Sequence, residues 1–186
     1  MSDTDIINTA QQDFNCISKK RRILSLVLYI VITAVLTQID QITKYIAEQR
    51  LYNKPDFVII KDVLHLTYLR NTGSAFGMFS GKINAFLVLT VIMICLITYV
   101  VLKMPLIIKY IPVYITCILL AAGAIGNFID RVRFGYVRDF IYFKIINFPV
   151  FNIADCYVTV SVIIFIILIL FVYKNEDDFA FLSLKK

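Results

Sequence analysis

Four stretches of this 186-residue chain, residues 23–38, 83–102, 111–129 and 153–173, are almost wholly apolar. Each approaches the ~20 residues that a helix needs to cross ~30 Å of hydrocarbon. The first run extends as a helix through Tyr45, and the third starts near Pro105 with an interruption at Lys109. The pattern predicts an all-α membrane protein with four transmembrane helices. The first run is too polar at its far end, and too far from the N-terminus, to be a cleaved signal peptide. Hydrophobic residues make up 60% of the chain, above the roughly 45–50% of an average soluble domain.

Charge gives the expected topology. Lys19-Lys20-Arg21-Arg22 precede the first span and should stay cytoplasmic. Four spans then return the C-terminus to the cytoplasm, with the outer loops at about residues 49–82 and 130–152. The expected organisation is a cytoplasmic tail over residues 1–22, a membrane unit over 23–173 and a cytoplasmic tail over 174–186. Residues 1–18 are polar and are expected to be disordered. In loop one, residues 57–69 are rich in Val, Ile, Leu, Thr and Tyr and predict one or two short strands, so the outer region should contain β structure. Small residues over 71–77 predict a turn that lets backbones approach closely.

Several function classes are excluded. His65 is the only histidine, which rules out a zinc site with two or three His ligands and a Ser-His-Asp triad at any other imidazole. The four cysteines have no metal-ligand spacing. The net charge of +6 lies in residues that flank apolar segments. It is read as topology and contact with membrane phospholipid rather than with nucleic acid.

Even-numbered spans place both outer loops on one side, whichever way the protein faces. Asp40, Asn71, Asn127, Asp130, Arg131, Asp139, Asn152 and Asp155 therefore collect at one membrane face. Carboxylates at a hydrocarbon boundary carry a desolvation cost, and function is the default explanation. Each also has a plainer role. Asn152 and Asp155 have the spacing of a helix cap, and Asp139 in its loop can pair with Arg138 or Arg131. Asp130 is read as structural, compensated by Arg131 at the negative end of the third helix. Asp40 is four residues from Lys44, so an ion pair weighs equally with substrate contact. Asn127 is expected to join a polar cluster, Gly123 and Ala124 to permit close helix packing, and His65 to have no chemistry.

Four stretches carry a resemblance. They are Asp40-Gln41-Ile42-Thr43-Lys44, Asn71-Thr72-Gly73-Ser74-Ala75-Phe76, Gly126-Asn127-Phe128-Ile129-Asp130-Arg131 running on through Val137-Arg138-Asp139-Phe140, and Phe151-Asn152-Ile153-Ala154-Asp155. In order and location they resemble the bacterial lipoprotein signal peptidase (signal peptidase II) family, over about residues 23–173. The resemblance implies an aspartic peptidase of the inner membrane that cuts prolipoproteins before a diacylglyceryl-modified cysteine. It implies Asp139 and Asp155 as the catalytic pair. Asp40, Asn71, Asn127, Arg131 and Asn152 then support the pair or contact substrate. Ala122, Ser74 and Cys156 depart from residues frequent in the family, and the interval from Asp139 to Asp155 is on the short side.

Two close carboxylates share a proton, because like charges cannot both ionise easily. One then activates water while the other protonates the carbonyl oxygen, without a metal or organic cofactor. The expected partners are lipid-modified prolipoproteins and membrane phospholipid, and the expected state is a monomer. Loop one is expected to close over the site. A non-enzymatic transporter subunit or assembly factor is disfavoured, because the acids gather at one face rather than along a midplane path. An enzyme acting on lipid head groups would use Arg131, Arg133 and Arg138 as phosphate contacts.

Overall fold

The computed structural model describes residues 3–73 and 83–182. Helix α1 (Asp3–Leu51) leads through β1 (Phe57–Ile60) and β2 (Leu64–Asn71) to α2 (Ile83–Lys103). A 3-10 turn (Ile108–Tyr110) precedes α3 (Ile111–Phe134), followed by β3 (Val137–Phe143). Helix α4 (Ile153–Ile167) continues into a π-helical turn over Leu168–Val172. Four helices are long and apolar enough to cross a membrane, as the hydropathy pattern predicts.

The expectation of disorder over residues 1–18 is corrected from residue 3 onward, where the chain is already helical. Residues 3–51 contain neither Gly nor Pro, so nothing interrupts the helix. Of the turn expected over residues 71–77, residues 74–77 lie outside the described residues.

The packing is inverted relative to a soluble protein. Ile30, Val88, Leu89, Ile163 and Phe171 face outward, while Asp40, Lys44, Asp130 and Asn152 are fully enclosed. Hydrocarbon can solvate the former and not the latter. One apolar cluster forms around Val101, Met104, Tyr114 and Ala121. The C-terminal 3-10 segment Glu176–Leu182 returns to this cluster, packing Phe179 and Phe181 against it. A smaller cluster of Ala47, Leu51 and Phe140 seats the sheet on α1. Polar residues occupy the zone around Asp40 and Asn127.

Loops one and three do share a side, because they build one antiparallel sheet of order β1-β2-β3. Residues 137–143, within the stretch expected as an outer loop, form β3, paired with β2. Val137, Phe140, Ile141, Tyr142 and Phe143 are strand formers, and the charged Arg138-Asp139 pair between them breaks the apolar pattern. Gly135 ends α3 at φ 76°, with its N–H bonded to the Arg131 carbonyl at 3.1 Å. That left-handed cap turns the chain directly into β3.

Helices α3 and α4 meet at glycine. A Cβ on Gly123 would lie 2.5 Å from the Ala154 carbonyl oxygen, and one on Gly126 would lie 2.5 Å from Asp40 Oδ2. Close approach at these two positions lets α4 and the Asp40 carboxylate lie against α3.

Candidate active site

Three local structures converge on Asp139. Pairing of β2 with β3 sets Asn71 opposite Val137 and Leu69 opposite Asp139. The Asn71 amide then donates to Asp139 Oδ2 at 2.8 Å. Phe151 docks on β3 by exchanging backbone hydrogen bonds with Ile141 at 2.8 and 3.0 Å. The next residue, Asn152, is thereby delivered to Asp139 and donates to its Oδ1 at 2.6 Å.

Asn152 also begins α4 with the capping box that the spacing predicted. Its Oδ1 accepts from the Asp155 N–H at 3.0 Å, and its own N–H donates to Asp155 Oδ2 at 3.0 Å. The other Asp155 oxygen accepts from Asn127 Nδ2 at 2.8 Å. One asparagine therefore holds both carboxylates, and Asn127 joins them, since its Oδ1 accepts from Asn152 Nδ2 at 3.1 Å.

Asp139 and Asp155 line one cavity of about 630 Å³. Asn71, Asn127 and Arg131 complete its polar end, and Phe143, Phe148, Val158 and Val160 are among its apolar walls. Asp139 is almost fully enclosed. Burial, and next the nearby Asp155 carboxylate, push the Asp139 carboxyl up to about 7. A carboxyl that holds a proton near neutrality beside a second carboxyl is equipped for acid/base chemistry on water.

Beneath this pair lies a charge cluster that sequence reasoning resolved only in part. Lys44 is fully enclosed and contacts Asp40 Oδ2 at 2.9 Å and Asp130 Oδ2 at 3.8 Å. It also donates to Asn127 Oδ1 at 2.8 Å, which ties the cluster to the Asp155 side. Arg138 clamps both Asp130 oxygens, with Nη2 at 2.8 Å from Oδ1 and Nε at 3.1 Å from Oδ2. Asp40 Oδ1 accepts the Ala154 N–H at 2.9 Å, and Gln41 bridges Asp40, Asp130 and Arg138. Two buried carboxylates thus face two buried cations, the condition under which such charges are tolerated.

Some expectations change accordingly. The partner of Asp130 is Arg138, with Lys44, and not Arg131. Asp139 has no ion pair with either arginine among the described residues; its partners are two asparagines. Asp40 makes the expected pair with Lys44 and also holds the first turn of α4. Arg131 lines the cavity, its guanidinium 4.8 Å from the centre of the Phe86 ring. Lys44 is expected only as the ion-pair partner of Asp40 and Arg138 only as a partner of Asp139 or a phosphate contact, and Gln41 has no expected role; the structure joins all three to the site. The signal was available, because a carboxylate inside an apolar helix requires a cation one turn away or across the packing.

The sequence pattern of signal peptidase (SPase) II matches residues 32–171, a stretch that contains every residue of the cluster from Asp40 to Asp155. The chain belongs to the signal peptidase II family. Members of this family are aspartic peptidases. A lipoprotein signal peptidase of Caldanaerobacter subterraneus subsp. tengcongensis is 44% identical over 143 residues, 76% of this chain and 95% of that protein. One from Enterococcus faecalis is 44% identical over 146 residues, 78% of this chain and 89% of that protein. A bacterial membrane enzyme solved by the in meso method at 2.3 Å resolution superposes with a TM-score of 0.67. It is 34% identical and covers 86% of this chain and 93% of its own. Together these show a multi-pass bacterial membrane protease with the fold described above.

Proposed function

We propose that this chain removes signal peptides from diacylglyceryl-modified prolipoproteins, cutting before the lipidated cysteine, with Asp139 and Asp155 as its catalytic pair. The observation that carries the reading is the pair of carboxylates held by Asn152 at the polar end of a cavity with apolar walls. Such a cavity fits a peptide whose acyl chains keep it in the bilayer.

In the reaction, Asp155 takes a proton from a water, and the water oxygen attacks the scissile carbonyl carbon. Asp139 gives its proton to the carbonyl oxygen. Collapse of the tetrahedral intermediate breaks the C–N bond, and the leaving amine takes up a proton from the pair. Asn71, Asn152 and Asn127 orient the two carboxylates, and Arg131 offers its N–H groups to the substrate. Asp40 acts through α4, holding Ala154 beside the pair. The step needs no metal or organic cofactor.

The unit that performs it spans residues 23–173 and works as a monomer. Both termini face the cytoplasm and the cavity opens near the outer leaflet, a placement supported by Lys19-Lys20-Arg21-Arg22 before the first span. An enzyme for lipid head groups fits less well, because Arg138 is committed to Asp130 and has no exposed edge for a phosphate.

The test is cleavage by purified protein of one precursor with and without its diacylglyceryl group, read by mass spectrometry. Cutting of the lipidated form alone, one bond before the modified cysteine, is the expected result. Equal cutting of both forms would remove lipid-directed specificity from the account.

A further inference from the structure

A second feature lies on the same face and takes no part in the chemistry above. Arg70 on β2 is not among the residues that line the cavity, and its guanidinium stands 4.5 Å from the centre of the Tyr52 ring and 5.1 Å from that of Tyr136. Tyr136 stacks on Phe134 at 5.8 Å, and Arg133 lies 5.3 Å over that same Phe134 ring. The result is one continuous chain, Tyr52–Arg70–Tyr136–Phe134–Arg133, across the ends of α1, β2 and α3. Arg70 and Arg133 are both exposed, and neither has a carboxylate within salt-bridge distance among the described residues. Every described carboxylate in the neighbouring cluster already has a cation or an N–H donor.

We propose that this cation–aromatic belt binds the phosphates of anionic phospholipid head groups. Rings over a guanidinium leave its in-plane N–H edge open, shared at Arg70 with the Tyr68 side chain, and that planar edge matches the two oxygens of a phosphate. Tyrosine beside apolar helix ends is the residue type that settles at head-group depth. The belt also sits at the ends of helices that cross the membrane, so a membrane phosphate, rather than a soluble one, is the phosphate within reach. Two cations without acidic partners leave a local positive charge that a zwitterionic head group does not neutralise.

The proposal is tested by reconstituting the full chain in nanodiscs of phosphatidylcholine mixed with phosphatidylglycerol, then counting lipids retained after transfer to detergent by native mass spectrometry. The wild type is expected to retain phosphatidylglycerol preferentially. Arg70→Gln and Arg133→Gln should each lower that preference on the order of fivefold, the equivalent of ~1 kcal/mol per surface cation. Lys144→Gln, whose cation is already paired with Asp62 at 3.4 Å, should leave it unchanged. Arg70→Lys keeps the charge without the planar edge and should fall between wild type and Arg70→Gln. It also serves if the glutamine variant fails to fold. Inorganic phosphate at the same concentration should not displace the lipid. Equal retention of the two lipids by the wild type, or an unchanged preference in both arginine variants, would overturn the proposal. Retention is read without cleavage, so neither result depends on the peptidase reading.

Discussion

Asn152 donates to Asp139 at 2.6 Å with the same side chain that caps the helix bearing Asp155. Fold and chemistry therefore share one residue, and replacing it should damage both to different extents. Asn152→Ala loses the helix cap, worth about 1 kcal/mol, and leaves Asp139 with one fewer donor. Cleavage is expected to fall at least a hundredfold while the thermal midpoint drops by only a few degrees. A large loss of stability with proportionate loss of activity would make Asn152 structural only.

Lys44 is the hub of the buried charges. Lys44→Met leaves Asp40 without its ion pair, and removal of one partner from a buried pair costs about 3–5 kcal/mol. Thermal unfolding in detergent should show a loss of this size. Double replacement with Asp40→Leu should recover part of it. A Lys44→Met protein as stable as the wild type would contradict the assignment of Lys44 as the compensating charge.

Gly123→Ala and Gly126→Ala test the α3–α4 contact. Each added Cβ would come within 2.5 Å of an existing oxygen, a backbone carbonyl in one case and Asp40 in the other. Overpacking of this kind costs about 1–3 kcal/mol. Gly126→Ala should also lower cleavage, because it displaces the Asp40 carboxylate that holds Ala154. Wild-type stability and activity in both variants would show that the helices are further apart than described.

The pH dependence follows from Asp139. Its carboxyl moves from an ordinary value of 3.8 up to about 7 on folding. Between those values the folded chain holds a proton that the unfolded chain has lost. Stability from this group is therefore complete below the unfolded value and declines as pH rises through the window. Cleavage should also fall as pH passes about 7, when the proton donor is lost. Midpoints measured against pH should slope downward across this range for the wild type, and less steeply for Asp139→Asn. Parallel slopes for the two proteins would place the titration elsewhere.

Much of the fold is legible in the amino-acid order, because length and hydropathy alone define a spanning helix. Residues 83–102 and 153–173 are cases where no other element fits. The Asn152–Asp155 cap is equally legible, since it depends on a spacing of three within one segment. Strand β3 was hidden because its central Arg138-Asp139 pair is polar yet buried, and its pairing with β2 joins residues far apart in the chain. For the same reason Asp130 was assigned to its neighbour Arg131, whereas its partner Arg138 reaches it only after the turn at Gly135. The helix over residues 3–18 is hidden by its polarity, and the only sign of it in the sequence is the absence of any Gly or Pro breaker.

The most direct measurement compares the wild type with Asp139→Asn and Asp155→Asn, each purified and confirmed as folded, on a diacylglyceryl-modified prolipoprotein. Each substitution keeps the shape of the side chain while removing its ability to exchange a proton. The account predicts cleavage by the wild type and a loss of at least a thousandfold in each variant. Cleavage near the wild-type rate in either variant would contradict the central claim that these two carboxylates perform the reaction.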